Sequence, residues 1–372
     1  MALKICVYAI CRNEEWCVDR FLDAAKDADL IQIADTGSTD GTCDAIRAWA
    51  EISRRCGYQC KVQLDHIWIK PWRFDHARTA GLALIPPEYE VCMSVDLDEV
   101  LQPGWRQEIE RLWVSGQTTR MGYMYDWGMG HVFFYNKIIS RHGYYHYAPC
   151  HEYERGDARL VESQVFSDKL MVVHQPKAGA GCRNDYINLL KVGIDEDPSS
   201  SRHAFYYGRE LFFKGRCEEA LKELDRYLAL PGSVWTYERA FAHIVKSKCY
   251  VALGNKEAAY KSCFEAVNEE PNGREGWCAL ALLCNGHNFA EMFAYSMRAL
   301  SITQRQNHYC VDPECWESLP HSLACISAWQ LGLKDLALEQ GKLAVSKKPS
   351  SQFQCDREGN LQLMIDLMKG GK

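Results

Sequence analysis

The sequence predicts an α/β domain over residues 1–180 followed by an all-α helical-repeat domain over residues 181–372. Three observations carry that division. Short β-rich runs alternate with amphipathic stretches from Lys4 to His174, a pattern that implies a mainly parallel sheet with helices on its faces. Strand signals cease after Pro176-Lys177-Ala178-Gly179-Ala180-Gly181. Beyond that point the pattern is helical, and glycines recur at 215, 254, 286 and 332, separated by 39, 32 and 46 residues.

The totals allow two domains. A chain of 372 residues can build two cores, and 47% hydrophobic with 25% charged residues is an ordinary globular balance. No apolar run approaches the roughly 20 residues of a membrane helix. The start, MALKICVYAICRNEE, lacks the long apolar core and small-residue cleavage site of a secretory signal, so a cytoplasmic protein is expected. None of the 18 cysteines forms a CxxC pair, and Cys92, Cys249, Cys263 and Cys325 sit inside apolar patterns. Reduced thiols fit better than a disulfide framework. A net charge of −6 argues against attraction of the whole protein to a polyanion, though a local basic groove is compatible with it.

In chain order, Lys4–Ile10 reads as a strand, 13–28 as an amphipathic helix and Leu30–Ala34 as a second strand ending on Asp35. The small-residue loop Thr36–Thr42 leads into a helix to Cys56, with Thr39 or Asp40 available as N-cap. Lys61–Ile69 alternates as a strand, Arg78–Leu84 looks helical, and Val91–Val95 is a short buried strand. That strand stops on Asp96, Asp98 and Glu99. If the extended conformation persists, Asp96 and Asp98 share one side, and two carboxylates there suit Mg²⁺ or Mn²⁺. The alternative is a solvated turn after a core strand. Asn13, Asp35 and the Asp96/Asp98 pair all follow strand ends, where ligands bind in open α/β sheets.

Ten Tyr, Trp and Phe side chains crowd residues 121–153, with His131, His142, His146 and His151 among them. They fill the sheet core, or line a stacking wall for a sugar or base, or do both from opposite strand faces. His174 ends the apolar strand Leu170–Val173 and is placed to share a metal with Asp98. Glu152 is a candidate general base, or else a partner of Arg155 or Arg159.

Three linked stretches carry a resemblance over roughly residues 4–180. They are Ile10-Cys11-Arg12-Asn13-Glu14-Glu15, Asp35-Thr36-Gly37-Ser38-Thr39-Asp40-Gly41-Thr42 and Ser94-Val95-Asp96-Leu97-Asp98-Glu99-Val100-Leu101. Together they resemble family 2 glycosyltransferases of the GT-A fold. Phe74-Asp75-His76-Ala77-Arg78 resembles the segment many members carry before the metal strand, with Thr79 where an Asn is usual. The glycine-centred units, with Ala259, Ala266 and Pro271 echoed by Ala337, Ala344 and Pro349, resemble tetratricopeptide (TPR) repeats. The combination resembles the bacterial S-glycosyltransferases that act on peptides, a subgroup in which a His-Glu pair and a later strand-end His recur, matched by His151-Glu152 and His174.

The resemblance implies a metal-dependent inverting transferase using a UDP-sugar, with UDP-glucose the first expectation. Asp35 would bind the nucleotide base, with Arg12, Asn13 and Glu14 bordering the pocket. Asp96 would approach the ribose or sugar, Arg78 would position the nucleotide or diphosphate, and Asp98 with His174 would hold Mn²⁺ or Mg²⁺. Glu152 is the first choice for the base and Asp126 the second. A protein or peptide is the first expectation for the acceptor, since TPR surfaces usually hold peptides. A 5-hydroxymethylated pyrimidine in DNA is the alternative, although Lys137, Arg141, Arg155 and Arg159 are interleaved with Glu152, Glu154 and Asp157 rather than forming a phosphate track. A reading of another class is a non-catalytic TPR scaffold with a degenerate transferase domain.

Overall fold

Seven consecutive buried residues without a charge, Ile5–Cys11, form β1, the strand from which the sheet grows. The computed structural model describes residues 3–177, 186–347 and 351–370. It divides into two compact units, 1–193 and 194–372. The boundary expected at 180/181 lies outside the described residues.

In the first unit a 3-10 turn, Glu15–Cys17, and α1 (Val18–Ala25) lead to β2 (Leu30–Asp35). Then come α2 (Thr42–Arg55), β3 (Lys61–His66), α3 (Phe74–Leu84), β4 (Val91–Ser94), β5 (Glu99–Leu101) and α4 (Trp105–Leu112). The remaining strands are β6 (Arg120–Asp126), β7 (Val132–Ser140), β8 (Tyr144–Tyr147), β9 (Tyr153–Gly156) and β10 (Gln164–His174). Eight strands join in the order β3-β2-β1-β4-β7-β6-β10-β5, and β8 pairs with β9 in a separate ribbon. The neighbours β3-β2-β1-β4 are parallel, as are β6 and β10, while β7 and β5 run against their neighbours. Six strands therefore end on one edge of the sheet.

The chain builds outward from β1 to β3 and then crosses back to lay β4 on the other side of β1. In open α/β sheets such a reversal leaves a crevice beyond the strand ends, here those of β1 and β4, where ligands usually bind.

Three local expectations shift. The helix expected from residue 13 starts later because Asn13 has a φ of 59° and its Oδ1 accepts from the Thr39 N–H at 2.7 Å, which turns the chain first. The strand expected to Ile69 ends at His66. The helix expected at Arg78 begins at Phe74, where Asp75 in the first turn takes two hydrogen bonds from the Arg73 guanidinium.

Helix α5 (Tyr186–Glu196) precedes the repeats. These pair α6 (Ser201–Phe213) with α7 (Cys217–Ala229), α8 (Thr236–Ala252) with α9 (Lys256–Glu269), and α10 (Arg274–Cys284) with α11 (Phe289–Ser301). After the short α12 (Pro313–Trp316), α13 (Leu319–Gln330) pairs with α14 (Lys334–Ser346), and α15 (Ser351–Gly370) follows. Gly215, Gly254, Gly286 and Gly332 close the first helix of each pair with φ between 74° and 84°. At three of them the same closure repeats. Gly254 N–H bonds the Val251 carbonyl while Asn255 N–H reaches back to Tyr250, and the bonds at Gly215 and Gly332 are equivalent. At Gly286 the bonds differ, as befits the degenerate unit, and α12 with its approach accounts for the wide 286–332 spacing. Ala220, Ala259 and Ala337, one in each second helix of those three pairs, are fully buried where the helices touch.

The sixteen cysteines whose side chains are described are free. Among the described residues no helix is long and apolar enough to cross a membrane.

Candidate functional site

The crevice between the ends of β1 and β4 is built around one cation. Arg78, on the sheet-facing side of α3, is buried; its Nη2 lies 2.7 Å from Asp96 Oδ1 and its Nε 2.5 Å from Glu152 Oε1. Its Nη1 also reaches Ser94 Oγ at 3.5 Å. Burial pushes the Asp96 carboxyl up, but the Arg78 guanidinium and the Lys137 ammonium outweigh it and hold the pKa at about 2. Glu152 thus pairs with Arg78 and not with the sequence neighbours considered above. Arg155 lies over the Tyr147 ring and Arg159 pairs with Asp157.

The extended conformation does not persist through Asp96 and Asp98. Glu99 N–H bonds the Asp96 carbonyl at 2.9 Å, closing a turn, and Glu99 Oε2 accepts from the Asp96 N–H at 2.8 Å. Tyr125 OH donates to the other Glu99 oxygen at 2.8 Å, and Lys137 Nζ stands 3.9 Å from it. Buried Glu99 therefore holds the loop from beneath, and its own pKa is raised by that burial. The turn sends the two aspartates to different partners.

Asp98 Oδ2 sits 3.2 Å from Nε2 of His174, the last residue of β10. Trp127 stacks on the His174 ring with centroids 4.4 Å apart. Burial pulls the imidazole down, but the hydrogen bond and charge of Asp98 carry its pKa above the ordinary value. This pair fits a hard divalent cation. Asp98 is 29% and His174 14% exposed, so space remains for other oxygen ligands.

Glu14 follows β1 and carries the electrostatic mark of the same crevice. Burial, then the charges of Asp96 and Asp98, push its pKa up to about 8. Asn13 does not project freely; it ties the loop after β1 to Thr39 and, through its N–H, to Ser38 Oγ at 2.9 Å. Arg12 is exposed. Asp126, the second candidate base, ends β6 and accepts from the Gly128 N–H at 2.8 Å, capping the turn that carries Trp127.

Asp35 is 1% exposed and its oxygens are already engaged. Gly37 N–H and Ser38 N–H donate at 3.0 and 3.1 Å, and His66 Nδ1 lies 3.1 Å from Oδ2. Burial raises this carboxyl, but the bonds from Ser38, Gly37 and His66 outweigh it and leave its pKa below the usual value. Asp35 ends β2 and Asp96 follows β4, strands separated by β1, so about 10 Å lies between the two strand axes.

No protein-family model matches the chain, and curated proteins yield no significant match. Several solved structures resemble it. MamA is 17% identical over 44% of this chain and 80% of that one, with a TM-score of 0.35. A thermophilic TPR protein from Thermus thermophilus is 17% identical over 48% and 89%, at 0.37. YrrB, a TPR protein with an unusual peptide-binding site, is 15% identical over 49% and 85%, also at 0.37. The repeat architecture itself rests on the helix pairs and their shared glycine closures.

The aromatic stretch divides by strand face. Tyr123, Tyr125, Phe133 and Tyr144 are buried, whereas Trp127, Phe134 and Tyr145 are exposed. Sequence reasoning counted Tyr125 and Trp127 only within the aromatic stretch and Lys137 only among its basic residues, and it did not single out His66. Strand alternation marks Lys137 and Tyr125 as sharing faces with core residues, but only the order of β7 and β6 beside β4 brings them to Glu99.

Proposed function

We propose that the chain is a GT-A-type, metal-dependent inverting glycosyltransferase that moves a hexose, foremost glucose from UDP-glucose, to a protein or peptide side chain. One observation carries this reading: Arg78 bridges Asp96 and Glu152 in the crevice where the strand order reverses, and Asp98 meets His174 at the same edge. A buried cation flanked by two carboxylates, with a separate carboxylate–imidazole pair, suits a donor carrying both a sugar and a diphosphate.

In this reading Asp98 and His174 hold Mn²⁺ or Mg²⁺, which when bound would neutralise the charge developing on the departing nucleoside diphosphate. Arg78 orients Asp96 toward the ribose or sugar. Glu14 and Arg12 border the donor. Asp35 meets the nucleotide base by giving up His66, whose half-exposed side chain can turn outward. Glu152 accepts the proton of the attacking group through Oε2, since Oε1 is held by Arg78. The acceptor attacks the anomeric carbon from the face opposite the diphosphate, which inverts that centre. A peptide acceptor is favoured by the paired-helix repeats, whose stacked form provides extended binding surfaces.

The test is UDP release and sugar transfer by the full chain, with labelled UDP-glucose and Mn²⁺, offered a cell peptide extract or hydroxymethylated DNA. Metal-dependent release, lost in Asp98→Ala and on chelation, with label entering peptide, is expected. Release that ignores both treatments would remove the metal assignment. Label entering only DNA would replace the acceptor, and no release from any UDP-sugar would favour a non-catalytic scaffold.

A further inference from the structure

A second cluster of metal-ligating groups lies beyond the ends of β2 and β3. Asp35, Cys43 and His66 each place one donor atom within 4.8 Å of the other two, the only such group of three or more His, Cys, Asp or Glu among the described residues. We propose that these three side chains form a binding site for a zinc-class divalent cation.

Regular structure fixes the backbone position of each of the three residues. Asp35 and His66 are directly paired residues of the parallel strands β2 and β3. Cys43 is the second residue of α2, the helix that connects those strands. A thiolate, an imidazole and a carboxylate are a borderline-soft set, which zinc accepts and Mg²⁺ or Mn²⁺ does not favour. Tetrahedral zinc with bonds of about 2.0–2.3 Å separates its ligands by roughly 3.3–3.8 Å. The 3.1 Å from His66 Nδ1 to Asp35 Oδ2 is close to that, and donor atoms lying within 4.8 Å of one another reach it with movements of at most about 1 Å.

Supporting groups are in place. Backbone donors fix both oxygens of Asp35, the Ser38 N–H on Oδ1 and the Gly37 N–H on Oδ2, as outer-shell donors orient carboxylates in metal sites. Arg47, which reaches His66 Nε2 at 3.5 Å, already has Asp44 as a partner at 3.0 Å and can turn to it. Binding releases the Cys43 thiol proton, and any shared on His66 Nδ1, to solvent. His66 is half exposed, so the fourth position is open to water.

Asp35 serves either the nucleotide base or the cation, so the two exclude each other there, and cation binding to the donor-free protein tests this site separately from the transferase reading. The site is tested with Co²⁺ added to the full-length protein, followed by its thiolate-to-metal charge-transfer absorption, and with Zn²⁺ as displacer. One equivalent of Co²⁺ giving that band and displaced by Zn²⁺ is expected. The band should vanish in Cys43→Ser, and affinity should fall at least tenfold in His66→Ala, while Asp98→Ala leaves both unchanged. Cys43 and His66 are partly exposed, so these variants keep the fold. Absence of the band, or a band of full strength in Cys43→Ser, overturns the proposal.

Discussion

Arg78 and Glu152, 74 residues apart in the chain, meet with Nε 2.5 Å from Oε1 inside the crevice. Their side chains are only 7% and 12% exposed, and Asp96 shares the same guanidinium. Removing the cation leaves two carboxylates facing each other in a low-dielectric site. Arg78→Ala should therefore cost about 3–5 kcal/mol in denaturant unfolding. Arg78→Ala combined with Glu152→Gln should recover part of that loss, and strict additivity would mean the pair is not coupled. Glu152→Gln alone keeps a hydrogen-bond acceptor for Arg78. If Glu152 is the base, kcat falls about 10²–10⁴-fold with little change in donor KM.

Trp127 holds the His174 ring by stacking, and the Asp126 cap on Gly128 shapes the turn that presents it. Trp127→Ala should weaken Mn²⁺ binding about 10-fold by freeing the imidazole, with Trp127→Phe closer to the parent. Calorimetric titration with Mn²⁺ reads this directly. Equal affinity in all three proteins would show that the stacked ring does not position His174.

Glu14 gives the first unit a pH signature. Its folded pKa of about 8 lies above its ordinary value of 4.5, so the folded protein holds a proton that the unfolded chain releases between those limits. The stability tied to that proton is fully present below 4.5 and drains away as pH rises through about 8. Glu14→Gln should flatten the decline in melting temperature across that window for the metal-free protein. Mn²⁺, by offsetting Asp98, should lower the Glu14 pKa and release a proton, measurable as a dependence of binding heat on buffer ionisation.

A repeat-closing glycine and a mid-helix glycine should respond to alanine with opposite signs. Gly254 has a φ of +76° with open space around its Cβ position, so Gly254→Ala meets backbone strain alone and should cost about 1 kcal/mol. Gly359 lies within α15 with nothing within 4 Å of its Cβ position, so Gly359→Ala should stabilise by roughly 0.5–1 kcal/mol. Chemical denaturation of the two variants checks both signs.

The sequence by itself determined what depends on neighbours along the chain. Short continuous runs without formal charge before Asp35 and Asp96 mark β1, β2 and β4, and recurring glycines mark the turns of the repeats, because burial along a strand and positive φ are local demands. The carboxylates at strand ends were legible for the same reason. Only the tertiary structure decided which charge meets which. A turn held by Glu99 sends Asp96 to Arg78 and Asp98 to His174, although alternation alone would have kept the two aspartates together. Strand order, not spacing, gives His66 to Asp35 and Glu152 to Arg78. Such pairings span 31 and 74 residues, and they exist only once β3 lies beside β2 and the segment after β8 folds back over α3.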